Sequence, residues 1–228
     1  MISHFITDAI SKFPYSQVKT IKIVALIVSI SCIGCKTTLK QQSEISKDNP
    51  LIEKMYAEDL RIRELDTKSD TINLEQYDKV HRDKIFALLA NNQVKTPLDK
   101  YRSALILQHT AAKLCEGEIT SISPENFLLA YHLSSSALND LENNNNTPSI
   151  KKENVLRIIA LNYDRYLLFS FGYQKFGTQF VFDEQTNEML LAPIDTTLSN
   201  DEERVKYKVE PLNELLRKHK MKTMPKGN

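Results

Sequence analysis

An adjacent acid and base stand inside a run of apolar residues. Asp164 and Arg165 lie in "LNYDRYLLFSFGYQKFGTQF", residues 161–180, among aromatic and aliphatic side chains. Ionised groups are rarely buried without partners, so each of the two must pair with another part of the chain. Adjacent residues on a helix do not face each other, and the two therefore need different partners. The polar box that follows, "QKFGTQ", is the nearest source of such partners.

A second polar feature is the pair Gln108 and His109, which interrupts the apolar stripe of another predicted helix. Histidine transfers protons near neutral pH, and an aspartate bonded to its ring would fix its tautomer, as in many hydrolases. One hypothesis is therefore a hydrolase-like enzyme in which His109 and Asp164 are the candidate catalytic residues. Three glutamines could donate hydrogen bonds to a substrate carbonyl or a glycan, namely Gln108, Gln174 and Gln179, and Thr178 could bind or attack a substrate.

The competing hypothesis is a buried polar network that holds the fold together. The five donors of Arg165 suit the carbonyl groups of the Gly-Thr-Gln turn or a carboxylate. Asp164 could accept from His109 or from backbone N–H groups of the same turn. The chain has no nucleophile elbow, no glycine-rich phosphate loop and no metal-ligand spacing, so we predict no metal and no cofactor. These absences favour a binding or structural module without chemistry.

Length and composition restrict the class of protein. The 228 residues suffice for one well-packed domain and a tail. A formal net charge of +1 provides no field that would attract nucleic acid, which we exclude as a partner. Five glycines and no tryptophan are too few for a β-barrel or sandwich. The composition therefore favours an α-rich fold.

The amino-terminal segment predicts where the protein resides. Lys19 and Lys22 precede the apolar run "IVALIVSISCIG", residues 23–34, which is typical of a secretory signal and shorter than a membrane-spanning helix. The ending "SISCIGCK" resembles the lipobox of bacterial lipoproteins, with Cys35 or Cys32 as the lipid acceptor. We therefore predict a signal segment over 1–35 and a lipid-anchored, exported protein of the bacterial envelope, facing the periplasm or the cell surface. An envelope protein or a glycan is its expected ligand.

The remaining chain predicts a flexible tether over 36–50, one mainly α domain of helical hairpins over 51–220, and a disordered tail over 221–228. Helix starts are marked by a hydroxyl residue before a proline at Thr96–Pro97, Ser123–Pro124 and Thr147–Pro148. The helix after Thr96 is expected to continue to Cys115. A helix over about 149–171 is expected to end at Gly172. Beyond it, "TQFVFD" and "MLLAPI" predict the single β-hairpin, and two short helices close the domain.

Five short elements, in order, resemble a bacterial domain family of unknown function. They are "AEDLRIREL" (57–65), "ALILQHT" (104–110), "FLLAYHLSSSA" (127–137), "LNYDRYLLFSFGYQKFGTQ" (161–179) and "PLNELL" (211–216). In that family a Gln-His pair, an Asp-Arg pair and a Gln-x-(Tyr/Phe)-Gly-Thr-Gln box recur in this order. The resemblance implies no particular reaction. It implies that the signature residues here are Gln108, His109, Asp164, Arg165, Gln174, Gly177, Thr178 and Gln179.

Overall fold

The computed structural model describes residues 47–66, 74–109, 112–115, 118–121, 123–143 and 150–223. All of these belong to one unit, Ser43–Asn228. The predicted signal segment with Cys32 and Cys35, most of the predicted tether and the Thr147–Pro148 helix start lie outside the described residues. Within the described ranges the elements are helices α1 (Pro50–Asp66), α2 (Leu74–Ala90), α3 (Pro97–Gln108), α4 (Glu125–Asn143), α5 (Lys152–Phe171), α6 (Asp201–Lys206) and α7 (Leu212–Lys218), and strands β1 (Ala112–Cys115), β2 (Glu118–Ser121), β3 (Phe180–Asp183) and β4 (Glu188–Leu191).

The predicted fold class is confirmed, since the chain is mainly helical with a small antiparallel hairpin on its C-terminal side. Helices α1, α2 and α3 share a core that includes Ile52, Ile85 and Leu107, all inaccessible to solvent. Helix α4 packs against both α3 and α5. Burial of these apolar faces supplies the main driving force for folding. None of the helices in the described ranges combines the length and apolar character needed to span a membrane.

Helix α3 begins at the predicted cap. The Thr96 hydroxyl accepts a hydrogen bond from the Asp99 N–H at 3.0 Å, and the Asp99 carboxylate accepts one from the Thr96 N–H at 3.3 Å. Pro97 occupies the first turn, where its missing N–H costs nothing. This reciprocal capping box satisfies two donors that the helix itself leaves unpaired.

The C-terminal end of α3 differs from the prediction. The helix ends at Gln108 instead of continuing to Cys115, and residues 112–115 pair with 118–121 as a second antiparallel hairpin. His109 leaves helical geometry at φ −87° and ψ 52°. The prediction was wrong because a short apolar stretch such as "AKLC" fits a helical and a strand period equally well.

Helix α5 ends where the sequence predicts. Gly172 adopts a left-handed φ of +79°, and its N–H donates to the Leu168 carbonyl oxygen at 2.9 Å. Glycine enters this conformation without the steric cost that other residues have. The chain then turns back along α5 toward β3.

The C-terminal hairpin pairs Phe180 with Leu191 and Asp183 with Glu188. The chain after α7 runs along β4, where the Leu191 N–H donates to the Lys220 carbonyl at 2.8 Å and the Lys222 N–H donates to the Leu191 carbonyl at 2.9 Å. The first residues of the predicted tail, 221 and 222, therefore lie along β4, and the disorder of the tail stays a prediction. Residues 224–228 lie outside the description.

Candidate functional site

The carboxylate of Asp164 is enclosed by the turn that follows α5. One oxygen, Oδ1, accepts from the N–H groups of Lys175 and Phe176, each at 2.8 Å. The other, Oδ2, accepts from the Thr178 N–H at 2.9 Å and from the Thr178 hydroxyl at 2.8 Å. Asp164 has no exposed surface. The turn 175–178 therefore folds around this carboxylate, as the structural hypothesis predicted.

Two opposing effects act on Asp164. Burial is the larger effect and raises the pKa of its carboxyl group above the usual value, because a charge is poorly solvated there, while the four hydrogen bonds from Lys175, Phe176 and Thr178 offset part of that rise. Every one of these contacts offers a proton to the carboxylate and so favours its ionised form. The carboxylate thus organises the backbone of the turn.

Arg204, on α6, binds the other side of the same turn. Its Nη1 donates to the Phe176 carbonyl oxygen, and its Nη2 donates to the Lys175 carbonyl oxygen at 3.1 Å. The residue is completely buried. Burial lowers the pKa of the Arg204 guanidinium, and the negative charge of Asp164 counteracts this. The N–H groups of the turn therefore point toward a carboxylate, and its carbonyl oxygens point toward a guanidinium. The sequence singled out no partner of this kind, because Arg204 lies in a short charged helix that reads as solvent-exposed.

Gly177 is required at its position for two reasons. Its φ of +87° is a left-handed conformation that residues with a side chain rarely adopt. A Cβ built on it would lie 2.5 Å from Cδ2 of Leu215 and 3.0 Å from Cδ1 of Ile194. The glycine thus lets α7 and the segment after β4 pack directly on the turn.

The side-chain amide of Gln174 joins two segments through hydrogen bonds of the kind that backbone peptide groups make. Its Oε1 accepts from the Gln179 N–H at 2.8 Å, and its Nε2 donates to the carbonyl oxygens of Gln179 at 3.0 Å and Ala192 at 2.9 Å. Gln174 is inaccessible to solvent. Both N–H donors of its amide are therefore used in joining the turn to the end of the hairpin, and neither is left to donate to a substrate.

Asp164 and Arg165 are linked through two side chains of the turn. Nε of Arg165 donates to Gln179 Oε1 at 3.1 Å, Gln179 Nε2 donates to the Thr178 hydroxyl oxygen at 2.9 Å, and that hydroxyl donates to Asp164. Arg165 Nη1 also donates to the Gln108 carbonyl oxygen at 2.8 Å. The Thr178 hydroxyl is buried and has both a donor and an acceptor partner, so it is unavailable for attack on a substrate.

His109 does not pair with Asp164, contrary to the catalytic hypothesis. Its Nδ1 lies 2.9 Å from Oδ2 of Asp59 and 3.2 Å from Oδ1, while both oxygens of Asp164 are bound by the turn. Asp59 belongs to α1, and its side chain is only 4% exposed, whereas that of His109 is 25% exposed. The hypothetical pair of His109 with Asp164 is therefore replaced by a pair of His109 with Asp59.

Asp59 is part of a charged cluster between α1, α2 and α3. Nη2 of Arg63 contacts Oδ1 of Asp59 at 3.4 Å and also pairs with Asp78 of α2. Burial raises the pKa of the Asp78 carboxyl, and the charges of Arg63 and His109 oppose that rise. Asp59 falls on the same face of α1 as Ile52, Met55 and Ile62, at spacings of three and four. That spacing could have identified Asp59 as a buried residue from the sequence.

Hydrogen bonds thus join six of the eight signature residues, with Gln108 taking part through its backbone carbonyl. Gly177 lies in the same turn, and His109 belongs to a separate cluster. Among the described residues, no three histidine, cysteine, aspartate or glutamate side chains are grouped so that they could hold a metal ion. No protein-family model matches the chain, and neither a curated protein nor a solved structure matches it. The resemblance drawn from the five sequence elements stays a prediction.

Proposed function

We propose that this protein is a lipid-anchored, exported component of the bacterial envelope whose helical domain is a non-catalytic binding or structural module. The enclosure of Asp164 is the observation that supports a non-catalytic role for the helical domain. A carboxylate with no exposed surface and four hydrogen bonds from one turn has no capacity left for a substrate. Its role is to hold the turn 175–178 in its folded conformation.

The location is supported by the sequence. The basic and apolar segment before "SISCIGCK" suits export, and lipid on Cys35 or Cys32 would hold the domain at a membrane. The partners that fit are the membrane, through the lipid, and an envelope protein or a glycan, through the domain.

Metabolic labelling tests the anchor. The full chain, produced in a bacterium with a radiolabelled fatty acid, should carry label and sediment with membranes. Replacing the cysteine that accepts the lipid, by Cys35→Ala or by Cys32→Ala, should abolish the label. Cys115→Ala should retain it. Unlabelled wild-type protein in the soluble fraction would overturn the proposed anchoring.

Folding measurements test the role of the domain. Asp164→Ala should melt far below the wild type in the fragment 36–228, because buried donors lose their acceptor. His109→Ala, whose side chain is partly exposed, should melt closer to the wild type. A normal melting temperature for Asp164→Ala would contradict a fold-organising role.

A second candidate function, a hydrolase-like enzyme, rests on the contact of His109 with Asp59. A buried carboxylate bonded to Nδ1 fixes the ring as in a general base. Ester, amide and glycoside substrates assayed with the wild type and with His109→Gln would test it. Turnover that requires both His109 and Asp59 would favour the enzyme over the non-catalytic module.

A further inference from the structure

Strand β3 is an edge strand, and two of its residues direct their backbone polar groups away from β4. Leu191 fixes the phase of the ladder, because its N–H donates to the Lys220 carbonyl oxygen on the far side of β4 at 2.8 Å. Its partner Phe180 therefore belongs to a pair without mutual hydrogen bonds, and Phe182, two residues on, has the same phase. In the part of the chain that the structure describes, no hydrogen bond reaches the outer N–H and C=O groups of Phe180 and Phe182. This edge is open to pairing with another strand.

The same two residues place their side chains on an exposed apolar face of the sheet. Residues that are opposite each other share a face, so Met189 lies beside the phenylalanines, and the bridge from Leu191 to Met221 adds a second methionine. The exposed fractions are 38% for Phe180, 46% for Phe182, 58% for Met189 and 38% for Met221. Together these four side chains expose roughly 350 Å² of apolar surface. A sheet face of this kind is normally covered by another element.

The size and the polarity of this surface decide what covers it. A stable dimer of folded domains buries about 800 Å² from each partner, more than twice the area that these four side chains expose. A bilayer would leave the outer N–H and C=O groups of Phe180 and Phe182 without hydrogen bonds, which lipid chains cannot supply. An extended peptide suits both features, since its backbone pairs with the edge and its alternate side chains cover the apolar face.

The charges at the end of β3 indicate a further property of the occupant. Asp183 and Glu184 lie where the strand ends, and Asp183 accepts from the Thr186 hydroxyl at 2.8 Å. The nearby Glu188 pairs with Lys220 at 2.9 Å. Within the described ranges, neither Asp183 nor Glu184 has a basic group at ion-pair distance. A basic residue of the peptide at this end would complement the two acids, whereas an acidic one would be repelled.

We propose that β3 binds an extended segment of an envelope protein by strand addition. The segment has apolar residues at alternate positions and a basic residue beside Asp183 and Glu184. Its backbone exchanges hydrogen bonds with Phe180 and Phe182, and its apolar side chains pack on these two rings and on Met189. This inference names the partner class of the binding module proposed above and rests on that role.

Amide hydrogen exchange, followed by nuclear magnetic resonance of the isotope-labelled full chain in lipid nanodiscs, tests the edge. The probe is the peptide Lys-Val-Thr-Val-Thr-Val-Lys, acetylated and amidated at its ends. Without peptide, the N–H groups of Phe180 and Phe182 should exchange faster than that of Val181, which points toward β4. Saturating peptide should slow exchange at Phe180 and Phe182 by about tenfold or more. Unchanged exchange at both residues would overturn the proposal.

Two altered peptides test the mode of binding. Methylation of every inner amide nitrogen keeps the side chains and removes the N–H donors, so this peptide should not protect the edge. Protection equal to that by the unmethylated peptide would overturn strand addition. Glutamates in place of both lysines should weaken binding by about twofold to fivefold, the range expected for an exposed charge pair. Equal or tighter binding of the acidic peptide would overturn the assigned charge.

Variants of β3 test the apolar face. Phe182→Thr removes an exposed ring and keeps a residue that favours strands, and it should weaken peptide binding by about tenfold or more. Val181→Thr, on the opposite face, keeps the shape of the side chain and should leave binding unchanged. Equal weakening by the two variants would also overturn the site.

Exchange in the wild type decides the matter even where a variant fails to fold. Protection of Phe180 and Phe182 before peptide is added, increasing with protein concentration, would show that a second copy occupies the edge and would overturn the peptide as its partner. If the peptide gives no protection while the chain carries lipid and sediments with membranes, the partner class alone is wrong. If the lipid is missing and the peptide binds, the anchoring is wrong and the strand-addition site stands.

Discussion

Asp164 and Arg204 bind opposite sides of one turn, the carboxylate accepting from its N–H groups and the guanidinium donating to its carbonyl oxygens. The turn residues Lys175 and Phe176 contact both charges. Neither charge needs the other in direct contact, because the peptide groups between them carry the interaction. This arrangement accounts for a buried acid and a buried base that form no ion pair.

Asp164→Asn should lower the free energy of unfolding by about 2–5 kcal/mol, because the amide offers donors where four donors already converge. The side chain keeps its size, so packing is unchanged. Urea unfolding of the fragment 36–228 measures the loss. Asp83→Asn, at an exposed acid paired with Lys79, is the control and should unfold like the wild type. Equal stability of the two variants would contradict this account.

Arg204→Lys should destabilise the domain by about 1–3 kcal/mol, because a lysine cannot donate to both carbonyl oxygens with the geometry of a guanidinium. Arg217→Lys, at an exposed position of α7, should have little effect. The double variant of Asp164→Asn and Arg204→Lys should lose less than the two single losses combined, since both act on one turn. Strict additivity in urea unfolding would show that the two charges are not coupled.

Gly177→Ala and Gly172→Ala separate backbone strain from steric overlap. Both glycines have a left-handed φ, and a Cβ at Gly172 would meet no atom within 4 Å, whereas at Gly177 it would overlap Leu215. Gly172→Ala should therefore cost about 1–2 kcal/mol from backbone strain alone. Gly177→Ala should cost that plus about 1–3 kcal/mol of overpacking. Similar thermal unfolding of the two variants would mean that Leu215 and Ile194 move aside freely.

Gln174→Glu should loosen the hairpin from the turn, because a carboxylate cannot donate to the carbonyl oxygens of Gln179 and Ala192. The N–H of Ala192, which donates to the Gln179 carbonyl, should exchange with solvent faster while amides in α3 keep their protection. Gln93→Glu, at an exposed position, is the control. Unchanged exchange at Ala192 would contradict the bridging role of Gln174.

Features that depend on a few neighbouring residues could be predicted from the sequence. The capping box at Thr96 and the helix end at Gly172 follow from local hydrogen bonding and backbone freedom. The proximity of Asp164 to the Gly-Thr-Gln turn was also predictable, because a short reversal after a helix brings the following residues back against it. The second hairpin, β1 with β2, was missed because four-residue segments carry no decisive period.

The sequence by itself determined a mainly helical domain, the capped start of α3, the end of α5 at Gly172 and the need for partners around Asp164 and Arg165. Only the tertiary structure decided which partners these are. Arg204 lies 40 residues beyond Asp164, and Asp59 lies 50 residues before His109. Such pairs depend on how whole helices pack, which is set by the sum of many apolar contacts and not by any local pattern.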